Sequence, residues 1–197
     1  MEPPVQLAVL LSGSGRTLQN LIETIDQGRL RAVIRVVISN SPTAYGLQRA
    51  EKAGIPCHVV DHRDRSHGSF NREVFNVLAG YSVELIVLAG FLRKIDIPTE
   101  WEGRILNIHP ALLPKYGGKG FYGHRVHAAV IAAGEPESGC TVHLVDDQYD
   151  HGPILLQKRV PVLPADTPDL LAERVFQAEC EAYPEAIALW AAQHRNA

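Results

Sequence analysis

Residues 5–18 read VQLAVLLSGSGRTL, and this stretch predicts the first strand, turn and helix of an α/β fold. The continuous apolar run at 5–11 is typical of a strand that is covered on both faces. Gly13 and Gly15 then predict a tight turn, and apolar side chains at 18, 21, 22 and 25 recur at helical spacing. This arrangement makes an anion site at the helix N-terminus, although a tight turn without a ligand explains the two glycines equally well.

The glycine loop does not match two familiar nucleotide-binding motifs. A dinucleotide fingerprint requires a third glycine where Leu18 stands, and an acid at the end of the second strand, where the chain reads Ser39-Asn40. A Walker A loop requires a lysine before its Ser or Thr, and this loop has none. The remaining interpretation is a phosphate cradle of another type, with Arg16 as an additional donor.

Strand and helix patterns alternate beyond the glycine loop. Apolar runs predict strands at 32–39, 56–60, 85–89 and 105–109, and helical spacing predicts helices at 45–53 and 70–78, the second after a polar loop at 61–68. The alternation predicts an α/β fold with a doubly wound, mostly parallel seven-stranded sheet and helices on both faces. A short connection between strands at 140–145 and 154–162 predicts a C-terminal antiparallel pair. The last helix, starting at Thr167-Pro168, is expected to kink or divide at Pro184.

Length and composition exclude several classes of protein. With 197 residues, 46% apolar and 21% charged, the chain fits a single domain over 1–197. A net charge of −3 and scattered Lys and Arg residues argue against nucleic-acid or membrane-surface binding. The N-terminus lacks a signal-peptide pattern, so a cytoplasmic protein is expected. Three separated cysteines predict no disulfide framework, and His124 with His127 is interpreted as a surface pair rather than a zinc site.

A second candidate site stands at the end of the fifth strand. Asn107 and His109 face the same side because strand side chains alternate, and Pro110 then ends the strand. A structural histidine explains His109 equally well, but the acidic loop ending at Asp150 favours a catalytic role. A carboxylate beside His109 would raise the pKa of the imidazole and hold it as a cation. A cationic histidine next to an amide donor would stabilise an oxyanion at a carbonyl carbon under attack.

The predicted sheet also suggests where these features meet. Open α/β sheets bind ligands at the carboxyl ends of their strands, near the switch point in strand order. The glycine loop, the loop at 91–95 and the strand end at 107–109 are therefore expected to share one crevice.

Four motifs together resemble the phosphoribosylglycinamide formyltransferase family of folate-dependent formyltransferases. They are the sequences SGSG at 12–15 followed by Leu18-Gln19, LAGFLR at 88–93, NIHPALLPKY at 107–116, and Val142-His143 followed by Asp150, Gly152 and Pro153. The resemblance extends from about residue 5 to residue 190. The Asn-x-His-Pro motif with a later Asp-x-Gly is specific for the formyltransferase fold and is shared with other members of it.

The resemblance implies formyl transfer from the co-substrate 10-formyltetrahydrofolate to the amine of glycinamide ribonucleotide, in de novo purine biosynthesis and without a metal. Asn107 and protonated His109 would stabilise the oxyanion, while Asp150 would keep His109 charged and help relay the proton. The implied phosphate and ribose contacts are Gly15, Arg16, Thr17 and Glu179. The implied folate contacts are Leu92, Arg93, Ile95, Asn107, Val145, Asp146 and Asp150.

Two segments depart from the family pattern. After Lys115-Tyr116 the chain reads GGKGFYGH at 117–124, predicted as a mobile loop, where better-known members have Pro-Gly-x-His-x-His. Lys119 and His124 therefore receive no role. His67 stands where some members have an arginine that contacts the folate tail, which leaves the tail contacts open.

Three alternatives remain at this stage. A formyltetrahydrofolate deformylase shares the Asn, His and Asp but uses water, and it usually has an additional N-terminal domain. A methionyl-tRNA formyltransferase normally adds a nucleic-acid-binding C-terminal domain and a basic surface. A non-enzymatic nucleotide-binding module would leave Asn107, His109 and Asp150 unexplained. The favoured interpretation is a monomeric or homodimeric enzyme acting on small molecules, without nucleic-acid or membrane partners.

Overall fold

The computed structural model describes residues 3–63 and 65–195, which form seven strands, five α-helices and one short 3₁₀ helix. The strands are β1 Val5–Leu11, β2 Ala32–Ser39, β3 Cys57–Val59, β4 Leu85–Leu88, β5 Ile105–His109, β6 Glu137–Leu144 and β7 Ile154–Pro161. The helices are α1 Arg16–Asp26, α2 Tyr45–Lys52, α3 His67–Ala79, α4 His124–Ala132 and α5 Pro168–Arg195, and the 3₁₀ helix is Thr99–Trp101. Asp64, within the predicted polar loop, lies outside the described residues.

The strands form one seven-stranded sheet in the order β3-β2-β1-β4-β5-β6-β7. The pairs β1–β2, β1–β4 and β2–β3 are parallel, whereas β6 and β7 pair in antiparallel register. These observations confirm the predicted fold class. On one side of β1 lie β2 and then β3, and the chain afterwards returns to place β4 on the other side of β1. This is the topology of a doubly wound sheet.

The chain divides after Leu106 into two compact units, so that β5 begins in the first and ends in the second. In the first unit β1 is the central strand, and its side chains from Leu7 to Leu11 are at most 1% exposed. A strand buried on both faces requires helices on both faces. Because parallel crossovers are right-handed, α1 and α2 cover one face and α3 covers the other.

In the second unit, α5 packs against β6 and β7. The helix continues through Pro184, so of the predicted kink or division, the division is wrong. Tyr183 and Ile187, on either side of the proline, are both fully buried. Burial of these side chains holds both halves of the helix in place despite the backbone hydrogen bond that proline cannot make.

The remaining differences concern element ends. The β6 strand starts at Glu137 rather than 140, since its added residues pair with β7 as far as Pro161. Strand β3 is shorter than predicted, with three residues paired to β2 at the end of the sheet. Between residues 3 and 195, leaving out Asp64, no helix combines the length and the apolar composition needed to cross a bilayer.

The β6–β7 pair depends on the absence of a side chain at Gly139. A Cβ atom there would lie 2.0 Å from the Lys158 carbonyl oxygen and 2.7 Å from Leu112 Cδ2. We expect Gly139→Ala to lower the free energy of unfolding by about 2–3 kcal/mol, since backbone has to move, as measured by urea denaturation.

Gly68→Ala is the matched control, because no described heavy atom lies within 4 Å of the added methyl group. Gly68 lies in helix α3, so the control is expected to be neutral or stabilising by up to about 1 kcal/mol. Equal stability of the two variants would contradict the close approach of β6 and β7 at Gly139.

Candidate active site

Asn107 and His109 lie at the end of β5, as predicted, and the structure brings Asp150 to them. The His109 imidazole is 4% exposed, and its Nδ1 atom lies 3.4 Å from Oδ2 of Asp150. Its other nitrogen, Nε2, lies 2.7 Å from the carbonyl oxygen of Tyr116, to which it donates. The predicted proximity of His109 and Asp150 is therefore confirmed.

Asp150 comes from the loop between β6 and β7 and has a left-handed backbone, with φ of 52°. Its Oδ1 atom accepts a hydrogen bond of 3.2 Å from the Asn107 side-chain amide, and Oδ2 accepts one of 2.9 Å from the Gly118 N–H. The carboxylate is only 11% exposed, and burial removes most of its hydration. The two donors take the place of the lost water. Among the three predicted catalytic side chains, Asp150 is thus the central one, in contact with both Asn107 and His109.

His143 is a fourth member of this cluster, and no role was predicted for it. Its Nε2 atom lies 3.1 Å from the Asn107 amide nitrogen, and its Nδ1 lies 2.8 Å from the Leu144 carbonyl oxygen. The amide nitrogen is a donor, so Nε2 accepts and the proton is on Nδ1. The strand alternation of β6, which places Thr141 and His143 on one face, is the signal that would have pointed to it.

Burial and charge act on His109 in opposite directions. Burial, the larger influence, lowers the pKa of the imidazole below its ordinary value. Asp150 and the Tyr116 carbonyl both raise this pKa, but they do not offset the effect of burial, and His143 lowers the pKa further. The expectation that Asp150 would give His109 a raised pKa was therefore wrong in the net direction, because desolvation of the ring outweighs the neighbouring carboxylate.

Asp150 is ionised over the neutral range. Burial alone raises the pKa of its carboxyl group, but His143, His109 and the Gly118 N–H together lower it below the ordinary value. His143 Nε2 lies 3.7 Å from Oδ1 of Asp150, which is an electrostatic contact rather than a hydrogen bond. The site therefore combines a carboxylate with two imidazoles and an amide.

The residues after Pro114 close over the His109–Asp150 pair. Tyr116 has a left-handed backbone, with φ of 57°, and its hydroxyl donates to Glu135, which also pairs with Lys115. A Cβ at Gly117 would lie 2.4 Å from Leu113 Cδ2 and 3.2 Å from Asp150 Cβ, so a side chain there would displace Leu113 and press on Asp150. This packing places the Tyr116 carbonyl and the Gly118 N–H against the pair.

The interpretation of His124 and His127 as a surface pair is wrong for His127. His124 is 63% exposed and lies 3.5 Å from Asp169. His127 is 4% exposed, and its Nδ1 has no hydrogen-bond partner among the described residues. Burial lowers the pKa of His127 to about 4, with smaller effects from His124 and His109. Within the described part of the chain, no group of three His, Cys, Asp or Glu side chains is placed to hold a metal ion.

In the first unit, the glycine loop and the loop after β4 are joined through Ser12. The Ser12 N–H donates to the Gly90 carbonyl oxygen at 3.1 Å, and the Ser12 hydroxyl accepts from the Leu92 N–H at 2.8 Å. Gly15 is the N-cap of α1, with φ of 68°. Two of the three segments expected to share a crevice are thus in contact, while the place of residues 107–109 in that crevice stays a prediction.

The predicted folate and ribose residues differ in exposure. Leu92 is 56% exposed, whereas Ile95 is 3% exposed, so Leu92 is open to a ligand and the Ile95 side chain belongs to the core. Asp146 accepts from the Gln148 N–H at 2.8 Å and contacts His151 at 2.7 Å. Glu179 on α5 is half-buried near Cys140, whose pKa is raised to about 12 by burial and, next, by this carboxylate.

We expect His127 to make the protein acid-sensitive. The unfolded chain binds a proton at His127 as the pH falls through 6.5, but the folded chain does so only near pH 4, so folding stability is lost between these values. The loss amounts to about 3 kcal/mol. Urea denaturation at several pH values is expected to give a flatter pH dependence for His127→Gln than for the wild type.

Val130→Ala is the matched control for His127→Gln. Val130 lies on the same helix, is 1% exposed and does not titrate. This variant should lower stability equally at all pH values in the window. An unchanged slope in His127→Gln would contradict the assigned protonation of His127.

We expect the His109 ring to titrate below its ordinary value of 6.5 in the ligand-free protein. Asp150→Asn removes the largest influence that raises this pKa, so the pKa of His109 should fall further. Ring-proton NMR titration measures both values. Asp146→Asn serves as the control, since Asp146 contacts His151, and a rise of the His109 pKa in Asp150→Asn would refute the assignment.

The comparisons with known proteins agree on one family. The formyl transferase family model matches residues 5–187. The trifunctional purine biosynthetic protein adenosine-3 of Drosophila melanogaster is 46% identical over 93% of the chain, which spans only 14% of that protein's length. Phosphoribosylglycinamide formyltransferase of Escherichia coli is 36% identical over 98% of the chain and 92% of that enzyme.

A solved structure agrees with these sequence matches. The phosphoribosylglycinamide formyltransferase of Coxiella burnetii superposes with a TM-score of 0.86 at 43% identity, covering 95% of this chain and 86% of that one. Its fold is therefore the fold of this chain. The chain belongs to the formyl transferase family, on the branch that includes the phosphoribosylglycinamide formyltransferases.

Proposed function

We propose that the protein transfers the formyl group of 10-formyltetrahydrofolate to the amine of glycinamide ribonucleotide in purine biosynthesis. The observation that carries this proposal is the cluster of Asn107, His109 and Asp150 in a chain of the formyl transferase family. An amide donor, an imidazole and an ionised carboxylate are the groups that acyl transfer between two nitrogens requires.

In the proposed reaction the substrate amine attacks the formyl carbon directly. A C–N bond forms to the amine, the C–N bond to folate N10 breaks, and a proton moves from the amine to N10. Asn107 and His109 stabilise the oxyanion on the formyl oxygen, and no covalent enzyme intermediate forms. Asp150, whose pKa is lowered, is the carboxylate that helps relay the proton.

The charge of His109 changes in the course of this reaction. Its lowered pKa makes the ring mostly neutral near pH 7 before substrates bind. An oxyanion at the formyl oxygen adds a second negative charge beside the ring, which raises its pKa and favours the imidazolium. His109 is therefore proposed to be protonated when the tetrahedral intermediate forms, and Asp150 supports that state.

Asn107 must exchange a hydrogen bond in order to act. Its amide nitrogen currently donates to His143 and to Asp150, at 3.1 and 3.2 Å. An amide nitrogen carries two hydrogens, so the oxyanion replaces one of these acceptors. Asp150 is the acceptor to be replaced, because His143 is fixed by its own bond to the Leu144 carbonyl.

The binding residues are assigned from the resemblance to the same family. The ribonucleotide phosphate is assigned to the amides of Gly15, Arg16 and Thr17 at the start of α1, where a helix N-terminus favours an anion. Glu179 is assigned to the ribose. The folate is assigned to Leu92, Arg93, Ile95, Asn107, Val145, Asp146 and Asp150. We further propose a cytoplasmic enzyme that needs no metal and acts as a monomer or homodimer, without nucleic-acid or membrane partners.

The experiment that tests this function supplies purified protein with glycinamide ribonucleotide and 10-formyltetrahydrofolate. The expected products are formylated ribonucleotide and tetrahydrofolate in equal amounts. Asp150→Asn is expected to lower kcat by about two orders of magnitude or more while the ribonucleotide still binds, because its phosphate contacts are in the glycine loop.

Two results would overturn the proposal. Equal folate turnover without the ribonucleotide would identify a deformylase that uses water. An unchanged kcat of Asp150→Asn, together with a large rise in the KM for the ribonucleotide, would reverse the roles assigned to the loop and the carboxylate.

A further inference from the structure

Helix α2 holds the glycine loop through two successive peptide groups. The Gly46 N–H, in its first turn, donates to the carbonyl oxygen of Gly13 at 3.0 Å. Nε of Arg49, one turn later, donates to the carbonyl oxygen of Ser14 at 2.9 Å. The carbonyl groups of Gly13 and Ser14 are therefore both directed at α2.

The direction of these carbonyls fixes the direction of the following N–H groups. In a trans peptide, the C=O of one residue and the N–H of the next point in opposite directions. Since the Gly13 and Ser14 carbonyls point at α2, the N–H groups of Ser14 and Gly15 point away from it. This is the orientation in which successive amides form an anion-binding concavity.

Arg49 also ties the loop to helix α1 itself. Its Nη1 atom donates to the Gln19 side-chain oxygen at 3.2 Å, and Gln19 begins the helical hydrogen bonds by donating its N–H to Gly15. The guanidinium lies over the Tyr45 ring, 5.0 Å from its centre. The planar guanidinium holds the two acceptors and the ring face in one fixed geometry, which a lysine ammonium on its flexible stem does not reproduce.

The loop and α2 also meet without intervening side chains. A Cβ at Gly15 would lie 2.5 Å from the Gly46 Cα, so the two backbones are in direct contact. No side chain at either position could absorb a change in orientation of the loop. The contacts from Arg49 and Gly46 therefore decide how the peptides of the loop are turned.

We propose that Arg49 is a positioning residue for the binding of a phosphate monoester at the glycine loop. It acts through the Ser14–Gly15 peptide, which it turns so that the Gly15 N–H faces the anion. A cationic donor on the carbonyl also polarises the peptide and makes that N–H a better donor. This inference rests on the proposed function, since the phosphate is that of the ribonucleotide substrate.

The test compares Arg49→Ala and Arg49→Lys with the wild type. We expect Arg49→Ala to raise the KM for glycinamide ribonucleotide at least about tenfold and to leave kcat within about threefold. The phosphate does not react, so its weaker binding affects the ground state and the transition state equally. Arg49→Lys keeps the charge but not the bidentate geometry, so it should recover only part of the affinity.

Arg29→Ala is the matched control for charge. Arg29 follows the C-terminal end of α1, where it contacts Gln27, and its removal changes the net charge of the protein equally. A ribonucleotide KM within about twofold of the wild type is expected for this variant, since its charge is exposed and remote from the loop.

A binding measurement separates this inference from the proposed function. Titration with inorganic phosphate, followed by amide NMR, should shift the Ser14 and Gly15 resonances of the wild type and shift them less in Arg49→Ala. Absence of any shift in the wild type would contradict the phosphate assignment itself. Equal binding by the wild type and Arg49→Ala would refute the role of Arg49 alone, and full recovery by Arg49→Lys would show that its charge acts without positioning.

Discussion

The contacts of a single carboxylate organise the candidate active site. Asp150 accepts from the Asn107 amide and the Gly118 N–H, and it approaches His109 within an ion-pair distance. A buried carboxylate is tolerated only if donors and positive charge replace its lost water. The residues around Asp150 therefore have to be polar, and their arrangement follows from the need to satisfy one charge.

Burial changes the chemistry of the histidines in this unit. The ring of His109 lies beside a carboxylate, and yet desolvation lowers its pKa. His127 is buried to the same extent but has no carboxylate among the groups that shift its pKa, which falls to about 4. The imidazole is thus available to accept a proton at His109, whereas it is a neutral core group at His127. The difference is the carboxylate beside His109.

Many elements of the fold were predictable because their signals are local. The bounds of β1, β2 and β5 follow from apolar runs that end at glycine, serine or proline, and the observed strands agree with them. Predictions that needed tertiary information were less successful. Pro184 was expected to kink or divide α5; it does not divide the helix, because the buried Tyr183 and Ile187 hold it on both sides. His127 was interpreted as one of a surface pair because no third ligand stands at metal-like spacing, whereas the packing of its helix turns it inward.

The sequence by itself determined the strand and helix pattern, the glycine loop and the placement of Asn107 and His109 on one face of β5, because these depend on neighbouring residues along the chain. Only the tertiary structure decided that Asp150, 43 residues after Asn107, reaches its side chain, and that His143 joins them. It also decided the net pKa shift of His109, since burial depends on every element packed around the ring. Local periodicity fixes which way a side chain leaves the backbone, but the charge and water around it are set by segments distant in sequence.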